Sequence, residues 1–336
     1  MSKERIAKWD NLKFLLIVFV AIGHMISVYT EQNEAISSIY LFIYTFHMPA
    51  FVFVSGLLMK STIRNKRYDK VYSYLIMCVI IKVLLFASKW IALDRDTMEF
   101  FDFNDVSWYA LAIFVYALIT MFLQRFSRVS VFVLAIALAL LVGYDTSIGT
   151  YLSLSRLFVF FPFFFAGFCL DNESVLKITS KIPSKIISAL ILVAVLACSI
   201  VFVNDIFPYI NILKGKSSYE DCGYLMPWGA LIRLGYYVFS FIMVFAVTSL
   251  VSNVKTFLTS YGARTLAIYV LHFPIIYIVR DKLGLTEFLM KISPENYAYL
   301  SIIAALIIVF VSGIKPVNTF FNFLINPKQI KKDDAQ

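Results

Sequence analysis

The sequence predicts an all-α, polytopic integral membrane protein with about ten transmembrane helices, and three observations carry that reading. Of 336 residues, 60% are apolar and only 15% charged, against roughly 25% charged in a soluble globular protein. The mean hydropathy is +0.81. Apolar runs approaching the ~20 residues that cross a bilayer recur along the whole chain. The same figures exclude a soluble enzyme, a disordered chain and a single-anchor receptor.

The runs place spans at roughly 14–30, 36–59, 71–93, 108–123, 129–144, 156–170, 186–203, 228–251, 265–279 and 298–314. Lipid offers the backbone no hydrogen-bond partners, and these runs are too long for barrel strands, so each is expected to be a helix. The first run follows Lys3, Arg5 and Lys8 as a signal peptide would. No small-x-small cleavage site follows it, and further spans come soon after, so it reads as a retained helix. No repeat, low-complexity tract or linker divides the chain, which reads as one membrane-embedded domain over 1–336.

Charge predicts the orientation. The N-terminus, the loops at 60–70, 124–128, 171–185 and 252–264, and the tail from Lys315 hold 20 Lys+Arg and 7 Asp+Glu. The opposite side holds 8 Lys+Arg and 14 Asp+Glu, counting Lys89 and Arg156 at its span ends. Basic loops stay inside, so both termini are expected to be cytoplasmic, in a cell membrane. The net charge of +9 is then mostly a topology signal, and no nucleic-acid partner is expected. The longest outer loops are at about 94–107 and 204–227. Of the four cysteines only Cys222 falls in an outer loop, and no Cys/His spacing suggests zinc, so no metal is expected.

Function in such a chain shows through the polar groups kept in lipid. His24, His47 and His272 all fall within spans, as do Lys82 and Arg233, with Arg156 at the outer mouth of the sixth. No Asp or Glu lies inside the predicted spans, so the interior is neutral or basic and suits an anionic ligand. Snorkelling of Arg156 and Arg233 to the outer surface is the competing reading. Lys13 and His24 are 11 residues apart, which is three turns and ~16 Å along one helix face. The pair suits an anionic head at Lys13 and a reactive end at His24, an imidazole placed for general-base work. Equally, Lys13 reads as a flanking residue and His24 as a packing contact. Pro49 follows His47 and Pro274 follows His272 at two residues, predicting bends that leave the Thr45 and Val270 carbonyls unpaired. Ser55-Gly56 offers a small surface for close helix packing.

Taken together these residues resemble the membrane acyltransferase-3 family, and within it the fucose 4-O-acetylase-like, polysaccharide O-acetyltransferase branch. The resemblance rests on Lys13, ten intervening residues and His24, with Asp10-Asn11-Leu12 before them. It continues through Phe46-His47-Met48-Pro49, Ser55-Gly56-Leu57, Ser155-Arg156 and Phe161-Pro162-Phe163-Phe164. It ends with Arg264-Thr265-Leu266 and Ile268-Tyr269-Val270-Leu271-His272. The resemblance implies acyl transfer, usually of acetyl, from cytoplasmic acetyl-CoA to a hydroxyl of a cell-surface or lipid-linked glycan. It implies His24 as the catalytic histidine and Lys13 as its paired basic residue. His47, Ser55, Gly56, Lys82, Arg156, Arg233 and His272 are then expected to line the site, with Arg156, Lys82 or His272 meeting the oxyanion. With no span carboxylate at hand, Ser27, a tyrosine, a backbone carbonyl or water is expected to orient His24. Membrane lipids are the other expected partner. The rival reading is a secondary transporter or flippase for an anionic glycan or metabolite, which would use the same buried basic groups.

Overall fold

The computed structural model describes residues 6–223 and 227–325. Lys3, Arg5 and the tail lysines beyond 325 lie outside the described residues. In chain order the helices are α1 (Ala7–Ile26), α2 (Glu34–Tyr44), α3 (His47–Arg64), α4 (Tyr68–Leu93), α5 (Trp108–Leu123) and α6 (Arg128–Leu141). There follow α7 (Leu154–Cys169), α8 (Asn172–Thr179), α9 (Ile182–Val201), α10 (Val203–Ile206), α11 (Ile210–Lys214) and α12 (Gly229–Leu250). The last are α13 (Phe257–Gly262), α14 (Thr265–Ile276), α15 (Leu285–Ile292), α16 (Tyr297–Ser312) and α17 (Lys315–Ile325). Outside these, the described residues pair as strands only at an isolated bridge between Asp102 and Tyr151.

Every expected span coincides with a helix, though not every helix is long. By length and apolar content α1, the α2–α3 run, α4, α9 and α12 suffice to cross a bilayer. Two further candidates are bent pairs, α7 with α8 at 94° and α16 with α17 at 64°. Helix α9 makes the solvent plain. Ile186, Ile187, Leu190, Val193 and Val201 on it are all exposed, a surface that water would penalise at roughly 25 cal/mol per Å². Its buried face carries Ser188 and Ser199, small residues of the kind that let membrane helices pack closely. The chain is a membrane protein.

Two segments depart from the expected boundaries for definable reasons. Helix α1 begins at Ala7 rather than near residue 14, because Lys8, Trp9 and Asp10 are buried by protein although their polarity falls outside an apolar window. The expected 36–59 helix is broken at Thr45 and Phe46 and restarts at His47. Pro49 has no N–H to donate, and the break moves it into the first turn of α3, where proline is tolerated. Pro274 stays inside α14, and the chain relaxes just beyond it into a π-helical turn at Tyr277–Lys282. Such turns are often found at functional sites.

The chain folds into two compact units. The first comprises residues 1–36, 73–99 and 251–336, and the second residues 37–72 and 100–250. In the first, α1 packs against α13, α14 and α16. In the second, α3 packs most closely on α7, with α5, α6, α9 and α12 around them. The α3–α7 crossing depends on two glycines. A Cβ at Gly56 would sit 2.0 Å from the Phe164 carbonyl oxygen, and one at Gly167 would sit 2.0 Å from that of Phe53. Gly56, expected to line the site, therefore serves close packing of backbones. Gly56→Ala is expected to cost about 1–3 kcal/mol by forcing the helices apart, read as a lower melting temperature in detergent. An unchanged melting temperature would refute the tight crossing.

Candidate active site

The N-terminal half of α1 is held by its own unit through side chains rather than by apolar contact alone. The Asn11 amide donates to the carbonyls of Ser252 (2.8 Å) and Val254 (3.0 Å), and its Oδ1 accepts from the Thr259 hydroxyl at 2.7 Å. The Lys8 backbone N–H donates to Asn253 Oδ1 at 3.1 Å. Thr259 also closes the capping box of α13 with Thr256. Gly262, at the end of that helix, lies so close that a Cβ there would be 1.8 Å from the Asp10 carbonyl oxygen. This frame fixes Lys13, whose ammonium pairs with Asp10 at 2.9 Å. The expectation of no acidic group within a span is corrected here. Asp10 lies in α1 and is buried, because the helix begins earlier than hydropathy alone indicates.

At the other end of α1, His24 meets α14. Its ring lies 5.5 Å from that of His272 and 4.4 Å from that of Phe273. His272 is wholly buried, while His24 keeps some exposure. His272 Nδ1 lies 3.1 Å from the Ile268 carbonyl and 2.9 Å from that of Tyr269. Carbonyl oxygens only accept, so Nδ1 carries the hydrogen and the neutral ring keeps its lone pair on Nε2. That Nε2 has no hydrogen-bond partner among the described residues. An unpartnered buried acceptor beside a second imidazole is unusual, since buried polar atoms are normally satisfied. Ser27, expected to orient the His24 ring, instead donates its hydroxyl to the His24 backbone carbonyl at 2.9 Å. Lys82, also in this unit, is buried, with Nζ 3.4 Å from the Glu99 carbonyl.

The second unit holds the remaining candidates. His47 is buried, donates from Nδ1 to the Ile43 carbonyl at 2.8 Å and stands edge-on to Tyr44 at 4.5 Å. Ser55 hydrogen-bonds the Phe51 carbonyl at 2.9 Å and the Tyr109 hydroxyl at 2.6 Å. Neither arginine snorkels. Arg156 donates to the carbonyls of Phe103 (2.9 Å) and Lys214 (3.3 Å), with its guanidinium 4.9 Å from the Trp108 ring. Arg233 is 1% exposed. It donates to the carbonyls of Ala139 (3.0 Å) and Ser217 (3.3 Å), and lies 4.5 Å from the Tyr219 ring. Carbonyl dipoles and aromatic faces replace water around both cations. Lys214 is half-buried, and burial, then the nearby Lys216 and Arg156, push its ammonium down to about 8. Among the described residues, no three or more His, Cys, Asp or Glu side chains are grouped to hold a metal.

A family model described as an acyltransferase domain matches residues 6–315. The chain belongs to the acyltransferase-3 family. No curated protein and no solved structure matches it. In this acyltransferase the structure brings His24 to His272 and ties Lys13 to Asp10 within one unit. It places His47, Ser55, Gly56, Arg156 and Arg233 in the other. Sequence reasoning gave Asn11 no role beyond its place in the motif, and missed Phe273, Tyr44 and Lys214. Asn11 was within reach, since an amide among the residues opening a membrane helix invites a search for a backbone to bind. Lys214 carried no signal, because one lysine in a long loop is indistinguishable from any other.

Proposed function

We propose that this acyltransferase moves an acetyl group from cytoplasmic acetyl-CoA to a hydroxyl of a cell-surface or lipid-linked glycan. In this reading the chain crosses the cell membrane ten times with both ends in the cytoplasm. The charge difference between alternate loops supports that orientation. The observation that carries the proposal is the His24–His272 imidazole pair at 5.5 Å, in a chain of this family.

The acceptor hydroxyl attacks the thioester carbonyl, and His24 takes its proton as the new C–O bond forms. The tetrahedral intermediate collapses by breaking the C–S bond, and the coenzyme leaves as its thiol once it receives that proton. His272 stands in the second position of the pair. Its Nδ1–H is committed to backbone carbonyls, so its basic Nε2 is the atom available to steady the His24 ring. Lys13, oriented by Asp10, supplies positive charge for the donor's phosphates.

The direct test is thioester consumption by purified protein, with and without acceptor saccharide. Acceptor-dependent thiol release, together with one acetyl increment in the product's mass, is expected. Absence of thiol release with every saccharide tried would overturn the proposal. Lys13→Ala is expected to raise the donor's KM about tenfold, the loss of one charge-assisted hydrogen bond, with a smaller change in kcat. An unaltered KM would remove Lys13 from donor binding.

A further inference from the structure

We infer that the second unit carries a binding site for an oxyanion, built from Lys214 and Lys216 beside Tyr40 and Tyr44, on a loop that Arg156 anchors. The ligand class we assign is a saccharide bearing a phosphate or carboxylate. Its role as acceptor rests on the acyl-transfer reading above, whereas the anion site itself does not.

The loop is built into place rather than left to solvent. Ser155 donates to the Gly215 carbonyl at 2.9 Å and Arg156 Nε to the Lys214 carbonyl at 3.3 Å. Successive residues at the start of α7 thus hold successive residues of the loop. Arg156 also reaches the Phe103 carbonyl. Phe103 is fixed in turn by its own N–H to the Thr150 carbonyl at 3.0 Å. Ser155 and Arg156 thus hold the loop through its backbone carbonyls, without using the Lys214 side chain.

Those side chains converge. The Lys214 ammonium lies 5.3 Å from the Tyr40 ring centre and 5.7 Å from that of Tyr44, and the two rings stack at 4.1 Å. Lys216 donates to Asn104 Oδ1 at 3.2 Å. Neither lysine forms an ion pair among the described residues. Each cation is felt by its neighbours: Lys216 and Arg156 both disfavour the charge on Lys214, and Arg156 disfavours that on Lys216. The opposing acidic influence on Lys216 comes from Asp102. Two half-buried ammonium groups without an ion pair among the described residues carry positive charge that an oxyanion would relieve through charge-assisted hydrogen bonds. Ser155 and Arg156 already anchor the loop, so Lys214, and Lys216 beyond its one hydrogen bond to Asn104, offer ammonium hydrogens to a ligand.

The test is calorimetric titration of the full-length protein in lipid nanodiscs at low salt, without acyl donor. Inorganic pyrophosphate and glucuronate serve as separate probes. Saturable binding of either is expected, and the stronger one tells a phosphate-bearing ligand from a carboxylate-bearing one. Lys214→Ala and Lys216→Ala should each weaken that binding about tenfold, as removal of one hydrogen bond to a charged group does, while Lys214→Arg retains it. Lys214→Gln replaces Lys214→Ala if the latter does not fold. Failure of both probes to saturate, or unchanged affinity in both neutral variants, would overturn the site. Retained anion binding without thioester consumption would instead sink the acyl-transfer reading and leave the site standing.

Discussion

Replacing His24 with alanine is expected to lower kcat for acyl transfer by about 10²- to 10⁴-fold, the usual worth of a positioned general base. The folded protein should survive. His24 is partly exposed and sits near the end of α1, in contact with Phe273 and His272. Loss of its ring removes its contacts with Phe273 and His272, while its own carbonyl still accepts from Ser27. The melting temperature should fall by only a few degrees, about 1 kcal/mol in a chain of this size. His24→Gln keeps most of the volume and a hydrogen-bonding head but cannot accept a proton, so it should be nearly as inactive. His272→Gln should separate the members of the pair. A positioning residue alters the pH profile and lowers kcat less than the base does. If His24→Ala turns over at the parental rate with normal folding, the imidazole pair is a packing feature and the proposed chemistry is wrong.

How much of this was legible beforehand follows from what each signal measures. Hydropathy found every long helix, because lipid enforces apolar side chains and self-satisfied backbones over a fixed thickness. It missed the first turns of α1 for the same reason: Lys8 and Asp10 are buried by protein, not by lipid, and a window cannot tell one from the other. Pro49 and Pro274 marked a helix break and a helix leading into a π turn, since a missing N–H has a local consequence wherever the chain ends up. The His24–His272 pairing was not readable, because the residues are far apart in sequence and nothing in either helix says which face the other presents. The positions of Arg156 and Arg233 at or within spans were legible, but what compensates their charge was not. Carbonyls of Phe103, Lys214, Ala139 and Ser217 accept from them, and any residue has a carbonyl to give.

Arg233 carries the largest expected effect on stability. Its guanidinium donates to Ala139 at the end of α6 and to Ser217 in the loop between α11 and α12, and lies over Tyr219. Tyr219 in turn donates its hydroxyl to the Leu140 carbonyl at 2.8 Å and its N–H to the Gly143 carbonyl at 2.7 Å. One side chain therefore joins α12, the end of α6 and the 215–222 loop. Arg233→Met keeps much of the volume but deprives two carbonyls of their donors, at about 1–3 kcal/mol each. It also removes a desolvated cation–π contact worth about 2 kcal/mol. A total loss of about 4–8 kcal/mol is expected, seen as a sharply lower melting temperature in detergent and poor recovery of folded protein. Arg233→Lys should recover part of the loss, because an ammonium retains the charge over Tyr219 but lacks the fork that reaches both carbonyls at once. The alternative, that Arg233 is kept for an anionic ligand, predicts the reverse: normal stability with impaired turnover. Its Nη1 and Nη2 donate to backbone oxygens, Nε alone having no partner among the described residues, and stability is the quantity that should fall.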